Sequence, residues 1–279
     1  MSNHPAEMFG YFAGDASDDA IQARSKHLCP FAGETCNKKS RLINYPFGVC
    51  TVLHNNALFA ICPRRFEEKG DVDIPLVLKN IAMHYFGDLS DLVLFSEVRL
   101  PNVGAIDFVL VRHKFMKAEV DDFLPVEFQS DSTTSTGSLV QSLKDFVSGV
   151  NVLGKKYNFG MNTYDTIKRS ITQLFNKGIV YENWGMKSYW VIQEYIYANL
   201  VKRYGLKRDG YSEAHASRFA LQELSLEGNQ VILRPTRYVS LSVDEVYQAM
   251  RNNSGLPQKD QFVAALNRKL KARLSLKFE

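Results

Sequence analysis

Ile106-Asp107-Phe108-Val109-Leu110-Val111 and, further on, Leu124-Pro125-Val126-Glu127-Phe128-Gln129 are short, apolar, partly β-branched runs, each interrupted by an acid. Runs of this composition and length read as buried strands. Side chains alternate faces along a strand, so Glu127 and Gln129 share a face, and Asp107 joins them if the two strands pair. Two carboxylates on one buried face repel each other and are costly to desolvate unless a cation lies between them. Mg²⁺ suits such a place, because it takes oxygen ligands and is commonly held by one or two carboxylates and a substrate phosphate. It would polarise a phosphodiester there and lower the pKa of an attacking water. The other reading of the same residues is two solvated acids at strand ends with no metal.

Working outward, Leu92 to Val98, Ala105 to Arg112 and Leu124 to Gln129 predict three strands in succession. Pro101 and Gly104 mark the first turn, and the polar stretch Arg112 to Asp122 forms the next connection. A helix is expected from about Pro75 to Phe86, where apolar residues recur at helical spacing and proline sits in the first turn. After Gln129, the polar run Ser130 to Gly137 leads into a helix from about Ser138 to Val150. Then follow a helix over Tyr164 to Asn176, a strand over Tyr189 to Glu194 and a helix through about Tyr204. The last third adds a strand near Val231 to Leu233, a helix begun by the capping pattern Ser242-x-x-Glu245, and one from about Lys259 to Leu274. Residues 1 to about 25 are polar and read as an irregular arm or a short helix. This order of elements is α/β or α+β with a mixed sheet.

The chain of 279 residues is 45% hydrophobic, enough for one large domain, alone or with an appendage, and too apolar for disorder. Its formal charge of +4 permits a polyanionic partner without requiring one. It lacks a long uninterrupted apolar run, and Asp15, Asp18 and Asp19 stand where a secretory signal would be apolar. A soluble, cytoplasmic protein is expected. All four cysteines, Cys29, Cys36, Cys50 and Cys62, fall in the first quarter, in a segment whose Pro30, Pro46, Gly48 and Pro63 break any long helix. In a reducing compartment such a cluster reads better as metal ligands than as disulfides, and four thiolates suit tetrahedral zinc or iron. Four buried cysteines acting as small hydrophobes is the plainer alternative. His27 and His54 lie close enough in sequence to replace a cysteine ligand, though surface positions suit them as well.

The carboxylate pattern resembles the PD-(D/E)XK nuclease superfamily, with Asp107 at the first acidic position and Glu127 at the second. Gln129 stands where most members have lysine. The cysteine segment, through Cys29-Pro30-Phe31, Cys36, Pro46-Phe47-Gly48-Val49-Cys50 and Ile61-Cys62-Pro63-Arg64-Arg65-Phe66, resembles the amino-terminal metal-binding segment of NotI-type restriction endonucleases. Glu97, in Ser96-Glu97-Val98-Arg99, resembles an additional acidic position of that family, and is otherwise a surface charge. The resemblance implies an α/β, restriction-endonuclease-like fold: a mixed central sheet flanked by helices, with a small Cys₄ knob. Residues 1–70 would form the arm and metal-binding segment, and 71–279 the catalytic domain with its helical end.

It further implies a type II restriction endonuclease, hydrolysing double-stranded DNA at a specific sequence. Asp107, Glu127, Gln129 and Glu97 would be catalytic, Asp107 and Glu127 would hold Mg²⁺, and Cys29, Cys36, Cys50 and Cys62 would hold structural iron, as in that family, or zinc. Gln129 carries no positive charge, so it either positions the attacking water by hydrogen bonds or leaves more to the metal. Six, thirteen and eleven residues separate successive cysteines, a departure from the NotI spacing that leaves the metal's identity open.

Lys38, Lys39, Arg41, Arg64 and Arg65 are the basic residues expected to face phosphates or read guanine edges. Arg268, Lys269, Lys271, Arg273 and Lys277 read as a solvated helix face. A homodimer is the simplest geometry for cutting both strands of a palindrome, with a cognate methyltransferase as a functional partner. Two readings compete: a non-catalytic DNA-binding protein that lost activity with the lysine, and a repair nuclease that recognises DNA structure.

Overall fold

In the computed structural model, which describes residues 2–70, 73–253 and 255–275, the two acid-bearing runs are adjacent strands of one sheet. The chain begins with β1 (Asn3–Met8), β2 (Tyr11–Phe12), α1 (Asp18–Ser25), β3 (Leu28–Cys29) and β4 (Glu34–Thr35). β5 (Val49–His54), β6 (Ala57–Ala60) and a 3-10 turn over Pro63–Glu67 follow. Next come α2 (Leu76–Phe86), β7 (Leu92–Leu100), β8 (Gly104–His113), β9 (Val120–Gln129), β10 (Thr133–Thr134), α3 (Thr136–Val147) and β11 (Gly160–Met161). α4 (Thr163–Gln173) continues through a π-helical turn, Leu174–Gly178, into α5 (Ile179–Asn183). β12 (Ser188–Gln193), α6 (Glu194–Tyr204), β13 (Ser217–Glu227), β14 (Gln230–Leu241), α7 (Val243–Arg251) and α8 (Lys259–Ser275) complete it.

The large sheet has the order β14-β13-β12-β9-β8-β7. β12 runs parallel to both β9 and β13 and the other neighbours are antiparallel, so the sheet is mixed, as expected. Alternation gives it two apolar faces. Leu124, Val126, Phe128 and Tyr189 pack against Val77, Leu78 and Ile81 of α2. On the other face, Trp190, Ile192, Phe219 and Val239 meet Ile167 and Ile171 of α4 and Ile196 and Leu200 of α6. Each fully buried aliphatic side chain contributes about 1.5–3 kcal/mol by leaving water. α2 ends at Gly87, whose φ of 82° is the left-handed conformation that closes a helix and favours glycine. α7 starts with the capping box that Ser242 and Glu245 predict.

Two elements differ from the sequence reading. The polar first residues contain β1, buried along its whole length at the centre of a second sheet, β2-β1-β5-β6. The whole of β13 was unexpected, because its apolar residues alternate with Arg218, Gln222 and Glu223. Arg218 is nonetheless buried, ion-paired to Glu213 and bonded to the Tyr189 hydroxyl. Exposed Arg268, Lys269 and Arg273 do lie on α8, and Lys277 falls outside the described residues. The same helix leaves Phe262, Leu266, Leu270 and Leu274 exposed at four-residue intervals.

The second sheet packs on α3 through Met8, Val49, Val52 and Leu139, and it is tied to the large one. The Gln193 amide accepts from Ala60 N–H at 2.7 Å and donates to the Leu58 carbonyl at 3.1 Å. Arg65 makes a deeper tie and corrects its expected role: it is fully buried and cannot meet DNA. Its Nε donates to Glu7 at 2.9 Å, Nη1 to Glu68 at 2.6 Å and Nη2 to the Val231 carbonyl at 2.6 Å. Thr51 also donates to Glu7. Arg65→Ala should therefore destabilise the fold by about 3–5 kcal/mol, since it strands the buried Glu7 carboxylate. Urea unfolding at pH 8 reads this, and a loss under about 1 kcal/mol would show the pair contributes little.

Candidate active site

β8 and β9 place Asp107 beside Glu127. Oδ2 of Asp107 accepts the Phe128 backbone N–H at 2.8 Å, which fixes the carboxyl against the neighbouring strand. Glu97 on β7 falls between the registered pairs Ser96–Phe108 and Val98–Ile106, level with Asp107. Its φ of 54° is an uncommon backbone for glutamate, of the kind that persists where surrounding structure enforces it. Glu97 and Asp107 line a cavity of about 100 Å³ with Arg64, Glu67 and Phe128. Glu67 is an acid the sequence reading passed over; it is buried and paired with Arg64 at 2.8 Å.

Glu127 is wholly buried. Burial first, and the adjacent Asp107 second, push its carboxyl from 4.5 up to about 7. Burial likewise raises Asp107, opposed by the Phe128 N–H and by Lys177. Lys177 is the counter-charge to Glu127: Nζ lies 2.7 Å from Oε1 and 2.5 Å from the Ala105 carbonyl. The Glu127 and Asp107 carboxyls share a side-chain hydrogen bond, but no N–H or hydroxyl among the described residues donates to Oε2 of Glu127; the buried hydroxyl of Tyr181, one turn beyond Lys177, has no partner there, and its titration feels both carboxylates. The sequence held one signal for these two, since Lys177 and Tyr181 continue the apolar stripe Ile167, Ile171, Leu174. A lysine on a buried stripe needs a partner.

Gln129 shares the strand face of Glu127 as expected, but its amide is engaged elsewhere. It bonds Gln173, and Ser170 donates to it at 3.4 Å, both on α4.

The four cysteines line one small cavity of about 20 Å³, together with Lys38 and Arg64. Three of them, Cys29, Cys50 and Cys62, are buried. Burial pushes all three thiols up, and neighbouring thiols push each further. His27 and His54 do not line this cavity. Among the described residues no group of three or more His, Cys, Asp or Glu side chains is arranged to hold a metal ion; the four thiols share a space without forming such a group, and Glu97, Asp107 and Glu127 do not form one either. Lys38 also lines an open groove with Lys39, Arg41, Ser132, Thr133 and Thr136, although its own Nζ donates to the Ile61 carbonyl at 2.7 Å. Arg64 joins the cysteine cavity to the acidic one and Lys38 joins it to the groove, so the three lie side by side.

The family model described as Restriction endonuclease NotI matches residues 16–219, nearly three quarters of the chain. The chain belongs to the NotI restriction endonuclease family. It is thus a type II restriction endonuclease, a site-specific deoxyribonuclease acting on DNA, and the matched span holds Glu67, Glu97, Asp107, Glu127, Lys177 and the four cysteines. No curated protein matches it. All of β14, α7 and α8 lies beyond the matched residues, and among the described residues no helix is long and apolar enough to cross a membrane.

The endonuclease carries a pH signature in its metal-free form. With the Glu127 carboxyl raised to about 7, its favourable contribution to folding is fully present below 4.5 and is lost as pH rises through 7. Glu127→Gln mimics the protonated form at every pH. In chelator, the variant should gain stability over the parent as pH goes from 5 to 8, by about 2–3 kcal/mol at the upper end. A stability difference flat across that range in urea unfolding would overturn this.

Proposed function

We propose that the chain cuts both strands of a specific double-stranded DNA sequence by Mg²⁺-dependent hydrolysis, on a PD-(D/E)XK-type site built from Asp107, Glu127 and Glu97. The observation that carries this is half-buried Asp107 beside wholly buried Glu127, whose Oε2 receives no N–H or hydroxyl donor among the described residues. A cation there would satisfy that oxygen and offset the repulsion between the two acids. An all-oxygen donor set fits Mg²⁺ better than a thiolate-seeking metal. When bound, such an ion polarises the scissile phosphate, acidifies the attacking water and stabilises the leaving oxygen.

The chain's own residues orient that chemistry. Asp107, fixed by the Phe128 N–H, and Glu127 would be the carboxylates that hold the ion. Glu97, exposed beside Asp107 on the cavity wall, is placed to accept hydrogen bonds from incoming water. Gln129 holds β9 to α4 and is assigned that role in place of positioning water. Lys39 and Arg41, with Lys38 beside them, supply positive charge to the groove, and Arg64 stands on the cavity rim, so we assign these residues to the phosphate backbone.

The Cys29, Cys36, Cys50 and Cys62 segment, within residues 1–70, we read as a structural zinc or iron site serving the catalytic part, 71–279. Its support is the shared cavity, whose size suits one ion, and the mutual repulsion that the ionised thiolates would feel there and a cation would relieve. A closed thiolate shell has no open position for a catalytic water. One chain carries one acidic pair, so cutting a duplex calls for two copies related by a twofold axis; the exposed apolar row of α8 offers a surface for that contact. The enzyme would work in the cytoplasm beside a methyltransferase that protects the same sites.

Incubation with long unmethylated viral DNA and Mg²⁺ should give discrete fragments, while Asp107→Asn should lose at least about a hundredfold in rate with its fold intact. Binding without cleavage across several genomes would favour a non-catalytic DNA-binding protein, and cleavage confined to branched DNA a repair nuclease. Light scattering on the same preparation reads the dimer, and a mass of one chain in the DNA complex would remove it. Cys50→Ser should lose bound metal and stability together. Elemental analysis finding no stoichiometric zinc or iron in the parent protein would defeat that reading.

A further inference from the structure

The strand pattern of the site does not account for Lys177. It sits in the π-helical turn between α4 and α5 with its side chain almost wholly buried. One ammonium spans β9, through Glu127 Oε1, and β8, through the Ala105 carbonyl, the two strands that carry the paired acids. Lys177 is the cation acting on both carboxyls. Packing does not explain it, because a hydrophobic side chain of similar volume fills a core at lower cost than a buried ion pair. π-Helical turns concentrate at functional positions. The next residue, Gly178, lets the turn settle close to the sheet: a Cβ there would lie 3.0 Å from Val243 Cγ2 and 3.4 Å from Ser217 Oγ. Meanwhile Gln129 on the strand is neutral and bound to α4.

We propose that Lys177 is the cationic member of the active site, delivered from the helix because Gln129 supplies no charge on the strand. It is a positioning residue and acts through Glu127. By clamping Oε1 it leaves Oε2 free for the cation, and its charge offsets the field of the two acids where a negatively charged phosphate must approach. Tyr181, whose hydroxyl is buried one turn away without a partner, closes the same side of the site. This inference rests on the reading of Asp107 and Glu127 given above.

The test uses the full chain with Lys177→Met, Lys177→Arg, and Lys177→Met combined with Gln129→Lys, which returns a cation to the strand. Three quantities are measured: thermal unfolding, binding of Mn²⁺ alone by electron paramagnetic resonance, and single-turnover cleavage, at saturating Mg²⁺, of a viral DNA that the parent cuts. Lys177→Met should bind Mn²⁺ within about threefold of the parent yet cleave about a hundredfold more slowly, the scale seen when one preorganised charge-stabilising group is removed. Lys177→Arg should stay within about tenfold of the parent, and Gln129→Lys should recover at least about tenfold of the loss. A merely structural lysine would lower stability and cleavage together, with no recovery from Gln129→Lys. Cleavage by Lys177→Met within about threefold of the parent, or no recovery in the folded double variant, overturns the proposal. Should Lys177→Met fail to fold, the double variant decides alone. Asp107→Asn is the separate control: if it still cuts and still binds Mn²⁺, the acidic site itself is misassigned, whatever Lys177 does.

Discussion

The repulsion between two neighbouring carboxylates, half-buried Asp107 on β8 and buried Glu127 on β9, is the constraint around which the centre of this protein is organised. Neighbouring strands bring them together, and burial pushes the pKa of both carboxyls up. Everything packed near them bears on that problem. The Phe128 N–H fixes one acid, Lys177 pairs with the other, and Oε2, which receives no N–H or hydroxyl donor among the described residues, leaves room for a cation. A core of this kind is less stable than an apolar one, and what it offers in exchange is a preorganised field for phosphate chemistry.

Holding that arrangement takes both faces of the sheet. α2 packs on one side through Leu78 and Ile81, while α4, its π-helical turn and α5 cover the acidic side. The amino-terminal sheet is joined in through Gln193 and the buried Arg65 network, so the cysteine cavity has a fixed place between the acidic cavity and the basic groove. In an enzyme that must bring metal, phosphate backbone and sequence recognition into register, such ties matter more than their individual energies.

Much of this was legible beforehand. Apolar, β-branched runs with turn residues between them gave β7, β8 and β9, helical spacing gave α2 and α4, and an acid inside each of two successive strands marked Asp107 and Glu127. β1 and β13 were hidden for one physical reason. Their polar side chains, Glu7 and Arg218, are buried against partners distant in sequence, Arg65 for the first and Tyr189 for the second, so neither strand shows a clean alternation. The same cause moved Arg65 from the expected DNA-facing set into the interior.

The sequence by itself determined the strand and helix periods, the mixed class of the sheet, the two acids on neighbouring strands and the clustering of four cysteines, because each depends on spacing within one short segment. Only the tertiary structure decided that Glu127 pairs with Lys177, fifty positions beyond it, that Gln129 is turned toward α4, and that Arg65 faces inward. Those are contacts between elements. Which charge meets which carboxylate is set by how a helix lies on a sheet, and no local pattern of residues records that.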